Sequence, residues 1–286
     1  MKKKVDVNQK SVLNAENQGL LTKNNNLNLF FEKIYQKYSA ESYLSTDPII
    51  FPKTYRGNTE YIAFVSSLFA YGQVKLIQNF LKNFFEAYGT ECKSNLLPKK
   101  NIYYRFQTEE DIYLLVKFLN KIYKDYGSIE GCFYSLSDNI EESLNNFILL
   151  AKDFGKENNA GTGYFFLFPT YGRSALKRMR MFLRWMIRDT DIDFGLWKKY
   201  NKSELLYPLD THILKCSKKL QIISSESGTH KNSLAITSFF KKIAPNDPLK
   251  FDFPITRLGI VNKCISSDSS KCLNCEFVNL CPFAQR

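Results

Sequence analysis

The sequence predicts an all-α protein. Apolar residues recur at three- and four-residue steps in one segment after another, which is the spacing of a helix with one buried face. No run of alternating apolar and polar residues is long enough for a strand, and no internal repeat is present. Residues 1–26 are polar, Asn/Lys-rich and aperiodic, and are expected as a loose tail. From Leu27 the helical pattern begins, with Leu29, Phe30, Ile34 and Tyr35 on one face. Asp47-Pro48 interrupts it. Tyr61–Phe84 reads as one or two apolar helices broken near Gly72. Glu109–Tyr126 is amphipathic through Ile112, Leu115, Val116, Leu119 and Ile122, and Asn139–Asp153 is of the same kind. Lys156–Gly163 is the best linker candidate. Arg173–Arg188 predicts a strong helix, Asp189–Asn201 a connection containing Gly195, and Leu209–Leu220 and Asn232–Ile243 two further helices. The helical signal stops near Gly259, so three parts are expected: a tail (1–26), a helical domain (27–258) and a cysteine-bearing loop (259–286).

The 286 residues suffice for one large domain or two small lobes sharing a core. A mean hydropathy of −0.30 and the lack of a long uncharged apolar run argue against a membrane span. Met1–Lys4 is basic but is followed by polar residues, so no secretory signal is expected and the compartment expected is the cytoplasm. Forty Lys+Arg against 28 Asp+Glu leave a net charge of +12. A surplus of that size suits a polyanionic partner such as nucleic acid, although an AT-rich genome also inflates lysine.

Cys264, Cys272, Cys275 and Cys281 crowd the C-terminus in the spacing C-x7-C-x2-C-x5-C. In a cytosolic setting such a cluster reads as a metal site. Zinc sites usually use two close cysteine pairs, and only one is present here. A loop wound around a larger object suits the wide outer gaps, which favours a [4Fe–4S] cluster and leaves zinc as the alternative. The pattern resembles the C-x6-C-x2-C-x5-C loop of the endonuclease III type of DNA glycosylase, with one extra residue in the first gap. That resemblance implies a mainly structural cluster that helps present basic residues to DNA, with Arg257, Lys263 and Lys271 as candidates.

Asp210 precedes an amphipathic helix and reads first as an N-cap worth about 1 kcal/mol. The string Leu209-Asp210-Thr211-His212-Ile213 also resembles the V-D-T-H-[IV] segment of the same superfamily, in which the aspartate both caps a helix and acts in catalysis. Lys215 and Lys218-Lys219-Leu220 continue like that family's R-x-x-x-R-L. The chain is thus similar to the helix-hairpin-helix DNA glycosylases from about residue 60 to its C-terminus. The resemblance implies two helical lobes with a cleft between them, and Gln73 near the DNA.

The family's hairpin, L-P-G-[VI]-G-x-K-T-A, is altered here. Thr170 stands for its first glycine and Ser174 for its lysine, and of the phosphate-approaching glycines only Gly172 remains. The following helix carries Arg173, Lys177, Arg180, Arg184 and Arg188 on one face, either as a solvated stripe or as a phosphate-binding one. A second resemblance, to the archaeal 8-oxoguanine glycosylases, concerns a lysine at the start of a long helix just over thirty residues before the aspartate. Lys177 precedes Asp210 by 33 residues (210 − 177). KRMRMFLRWMIR followed by LDTHI also resembles a bacterial family of unknown function.

Together these resemblances imply a base-excision repair enzyme acting on double-stranded DNA that contains a damaged base, and one active site per chain makes a monomer the expectation. Lys177 would be the nucleophile, Asp210 the carboxylate that stabilises positive charge, and Gln73, Gly172, Arg173, Arg180 and Arg184 the DNA contacts. Neighbouring cations and burial favour the neutral, nucleophilic form of an amine, and Arg173, Arg180 and Arg184 are the cations expected beside Lys177. Phe165, Phe166, Tyr171, Trp185 and Trp197 lie near the motifs, and sequence alone does not choose among them as stacking groups. Two other classes stay open: a non-catalytic iron–sulfur DNA-binding protein and a zinc-stabilised RNA-binding module.

Overall fold

The computed structural model describes residues 26–39, 41–92, 97–264, 270–273 and 275–282. The tail expected over 1–26 lies outside the described residues, apart from Asn26 in the first helix. Among the described residues the architecture is all-helical. There is no strand, only two isolated bridges, Tyr104 with Gln107 and Ser174 with Thr229.

Helix α1 spans 26–38. It is followed by a 3-10 turn (Glu41–Thr46), α2 (Ile50–Thr54), α3 (Thr59–Leu68), α4 (Val74–Tyr88) and α5 (Glu109–Tyr126). Then come α6 (Ile129–Leu136), α7 (Ile140–Glu157), α8 (Thr162–Leu167) and α9 (Lys177–Ile187). Helices α10 (Thr211–Lys219), α11 (His230–Ile243), α12 (Asp252–Val261) and the single turn α13 (Ser270–Leu273) complete the order. Six starts are set by a short polar side chain that accepts an otherwise orphaned helix N–H: Asn58, Ser128, Asn139, Asp210 and Thr229, with Thr108 and Asp111 forming a capping box.

Helix α3 is the centre of the fold. Glu60 to Leu68 are all buried, and its most extensive packing is against α9. Phe64 meets Phe182 of α9 edge-on at 5.0 Å and Phe147 of α7 at 5.7 Å. Each fully buried ring of this kind contributes roughly 1.5–3 kcal/mol. Glu60, at the start of α3, is a buried hub. Its carboxylate accepts from Tyr123 Oη, Trp197 Nε1 and the backbone N–H groups of Ile129 and Glu130, each at 2.8 Å. It thereby supplies negative charge to the N-terminus of α6. Helix α1 packs against α11 and the C-terminal segment: Phe31 lies 5.1 Å from Phe240 of α11, and Phe30 and Tyr38 flank Phe277.

Two expectations are corrected. Lys156–Gly163 is not a linker, because α7 runs to Glu157 and α8 starts at Thr162. The glycines there serve close packing: a Cβ on Gly163 would stand 2.2 Å from the Phe106 carbonyl and 2.4 Å from Asp111. The helix expected over Arg173–Arg188 begins only at Lys177. Ala175 N–H donates to Gly228 O at 2.9 Å, tying the segment to the start of α11, and Leu176 takes a left-handed conformation (φ 50°). The tie and the reversed residue postpone the helix and make Lys177 its first residue.

Candidate active site

Five elements meet around one cavity of about 410 Å³: the turn before α2, the turn between α3 and α4, the start of α9, the start of α10, and α12. The volume is within the range typical of small-ligand pockets, roughly 300–1,000 Å³. Lys177 and Asp210 both line it, so the two residues singled out by motif share one space. Among the described residues Lys177 makes no hydrogen bond and no ion pair. Its half-buried side chain, with Ala70 and Tyr71, also lines a second cavity of about 420 Å³, whose other residues include Phe166, Pro169, Leu176 and Arg178.

Asp210 is fixed from two sides. Oδ1 accepts the Ile213 N–H at 2.8 Å as the cap of α10, and Oδ2 accepts from the Thr256 hydroxyl of α12 at 2.8 Å. Helices α10 and α12 approach closely because residue 259 is glycine: a Cβ there would lie 2.2 Å from His212 Nδ1.

The remaining charges of the cavity wall are matched. Arg257 Nη2 pairs with Asp47 Oδ2 at 3.1 Å. Arg184 is hydrogen-bonded to Asp252 and holds Asp193 at 3.2 Å. Burial pushes the Asp252 carboxyl up to about 6, with Arg184 opposing the shift. Lys177 is thus the one Lys or Arg of this wall without a carboxylate partner among the described residues.

The stripe expected to grip DNA is reassigned by its surroundings. Arg180, Arg184 and Arg188 do share a face, but it is turned inward, and they are 1 %, 5 % and 2 % exposed. Arg180 forks onto Glu141 at 2.5 and 2.8 Å and also donates to Ala175 O, steadying the bend before α9. Arg188 holds Asp191, Asp193 and Asp247. Arg180 and Arg184 are therefore spent on carboxylates and are neither phosphate contacts nor uncompensated cations beside Lys177. Arg257, bound to Asp47 and to Tyr43 O, is likewise not available to DNA. Arg173 and Gly172 are exposed in the turn between α8 and α9, where Gly172 has φ 80°. Gln73 is exposed at the first position before α4, between the cavity-lining residues Gly72 and Val74. Of the aromatics near the motifs, Trp185 and Trp197 are core (0 and 1 % exposed), whereas Phe166 is 41 % exposed beside Lys177. Tyr71, Thr256, Asp47 and Asp252 were not singled out by sequence. They sit on three separate elements, and only the α12 pair follows a helical pattern.

Cys264, Cys272, Cys275 and Cys281 lie in the C-terminal segment, which Phe277 anchors against α1. Cys275 N–H donates to Cys272 O and Cys281 N–H to Phe277 O, so the segment is folded into turns. Burial, with Cys264 and Cys281 close enough to add to it, raises the pKa of the Cys216 thiol of α10. The donor set suits an iron–sulfur cluster in kind. Among the described residues, however, no three His, Cys, Asp or Glu side chains converge closely enough to hold a metal ion. Lys263 is exposed, and the side chain of Lys271 lies outside the described residues.

Fold and site together define a class: an all-helical protein in which a lysine opening one helix, without a carboxylate partner among the described residues, and an aspartate capping another face a single cavity. The chain belongs to the DUF2400 family, described as proteins of unknown function, whose model matches residues 47–261 and so takes in the whole cavity wall. No curated protein and no solved structure matches the chain.

Proposed function

We propose that the protein is a DNA base-excision repair glycosylase with AP-lyase activity, built on a two-lobed helix-hairpin-helix frame. The observation that carries the proposal is the convergence of Lys177 and Asp210 on one cavity. The net charge of +12 supports a nucleic-acid partner.

In the proposed reaction a damaged nucleotide rotates out of the duplex into the cavity. The nitrogen lone pair of Lys177 attacks the anomeric carbon of the sugar as the bond from that carbon to the base breaks, and the base leaves with the electron pair and takes up a proton. Loss of the amine proton and opening of the sugar ring give a Schiff base, from which β-elimination cleaves the strand. The Asp210 carboxylate stabilises the positive charge that develops on the sugar, and Thr256 and the Ile213 N–H hold it in place for that role. An oxidised purine such as 8-oxoguanine is the proposed substrate. The C-terminal cysteines are proposed to hold a [4Fe–4S] cluster that takes no part in these steps. Zinc is the competing occupant.

Borohydride trapping on a panel of duplexes, each with one lesion, tests the proposal. Wild-type protein is expected to form a covalent adduct with at least one member, and Lys177→Gln with none. Retarded DNA without any adduct would instead indicate a non-catalytic DNA-binding protein.

A further inference from the structure

An aromatic surface beside the cavity has no part in the chemistry just described. Tyr104 and Gln107 pair backbone to backbone at 3.0 and 2.8 Å, closing a two-residue turn with Arg105 and Phe106 at its tip. Arg105 holds φ 50°, a conformation disfavoured for any residue but glycine. The turn is nevertheless well supported. Gln107, 2 % exposed, donates to Gly163 O at 2.9 Å and accepts from Tyr71 Oη, and Tyr104 Oη donates to Tyr71 O at 2.5 Å. On this support Phe106 is left 55 % exposed. Its ring is parallel to that of Tyr71 (6.3 Å, 1°) and 5.1 Å from Phe166, itself 41 % exposed.

Two guanidinium groups accompany the rings. Arg105 lies 5.6 Å from the Tyr71 centroid and 5.4 Å from Phe106, and Arg178 lies 5.1 Å from Tyr71 and 4.7 Å from Phe166. Among the described residues neither has a carboxylate partner. Arg178 is oriented by the carbonyls of Leu68 and Phe166. Arg105 also lines a groove of about 290 Å³ between α4 and residues 101–105, where Tyr103 is 67 % exposed. The surface thus runs from the wall of the Lys177 cavity, through Tyr71, Phe166 and Phe106, toward Tyr103.

We infer that this surface stacks unpaired bases of a single-stranded stretch adjoining the nucleotide held beside Lys177. The inference rests on the nucleic-acid half of the function proposed above. Flat rings offered to solvent on a rigid support, next to unneutralised guanidinium groups along a groove, match what single strands require: π faces for bases of any sequence and positive charge for phosphates. A paired base has no free face to offer. One stacked base is worth roughly 5- to 150-fold in affinity.

The test is fluorescence anisotropy at one salt concentration with a labelled mixed-sequence single-stranded oligodeoxynucleotide and its fully paired duplex. Phe106→Ala and Phe106→Leu are expected to weaken single-strand binding at least about 5-fold and duplex binding by less than about twofold, while Phe106→Trp keeps both. The ring is exposed, so its removal takes little from the core, and thermal melting of each variant checks that folding is kept. A wild-type protein that ignores single strands overturns the inference, as does an equal loss on duplex. So does a Phe106→Leu variant that binds like wild type, which would mark an apolar protein-docking surface instead. Trapping on lesion duplex, run in parallel, separates the two claims. Phe106-dependent single-strand binding without any trapping sinks the glycosylase and leaves this surface standing. Trapping with a silent Phe106 does the reverse.

Discussion

Replacing Glu60 by glutamine removes one negative oxygen from the middle of the fold. In the native protein Oε2 accepts from Tyr123 Oη and Ile129 N–H, and Oε1 from Glu130 N–H and Trp197 Nε1. A glutamine amide keeps only one of those oxygens. Whichever way it turns, two of the four donors then face an NH₂ group. Each buried donor left without an acceptor costs about 1–3 kcal/mol. Loss of the charge at the start of α6 adds about 0.3–1 kcal/mol. The expected loss is therefore roughly 2–7 kcal/mol, a large part of the 5–15 kcal/mol that typically holds a domain together. Urea unfolding followed by circular dichroism reads it as a drop in midpoint at unchanged slope. Trp197→Phe removes one donor of the four and is expected to cost a smaller amount. A Glu60→Gln protein that lost under about 1 kcal/mol would refute the hub.

Asp252 gives a pH signature. Its carboxyl is raised to about 6 by burial from an ordinary value of 3.8, so the folded protein binds this proton more readily than the unfolded chain. Its contribution to stability is fully present below about pH 4, falls as pH rises to 6 and is flat above. Asp252→Asn is therefore expected to gain on wild type by up to ~3 kcal/mol between pH 4 and pH 7, read from melting temperatures in matched buffers. A difference that moved the other way would mean the Arg184 pair outweighs its desolvation. Gly259→Ala drives a methyl into His212, 2.2 Å from ring Nδ1 and 3.0 Å from Cβ, so rotation of the ring alone does not relieve the overlap. A loss of about 1–3 kcal/mol is expected, together with reduced trapping as Asp210 and Thr256 are forced apart. Anaerobically purified protein is expected to be brown, absorbing near ~400 nm and carrying iron and sulfide, with the colour lost in Cys275→Ala and kept in Cys92→Ala. Stoichiometric zinc in colourless protein would replace the cluster by its competitor.

The helical elements were legible where one physical signal dominates. The three- and four-residue spacing of Ile112, Leu115, Leu119 and Ile122 marks α5, and the polar caps Asn139 and Asp210 mark the starts of α7 and α10. The pairing of Lys177 with Asp210 was legible only through motif resemblance, since nothing in their local patterns says that α9 and α10 start at one cavity. Helical spacing placed Arg180, Arg184 and Arg188 on one face but does not say what that face meets. Asp191 and Asp193, just beyond the helix, are the local hint of buried pairs, whereas Glu141, Asp247 and Asp252 come from distant segments. Glu60 lies outside the helix expected from Tyr61 and gave no local signal, because its four donors come from three other parts of the chain. The late start of α9 depends on a backbone tie to Gly228 and on the left-handed Leu176, and neither leaves a compositional trace. Phe106 is hidden for the same reason: its exposure follows from a tight turn without glycine or proline.

The most direct test of the central claim is to locate the covalent bond. Wild-type protein trapped on lesion duplex with borohydride, digested with protease and nuclease and sequenced by tandem mass spectrometry, is predicted to carry the sugar adduct on the side chain of Lys177. An adduct on another lysine or on the N-terminal amine would contradict the account, because the amine of the cavity would then not be the one that reacts.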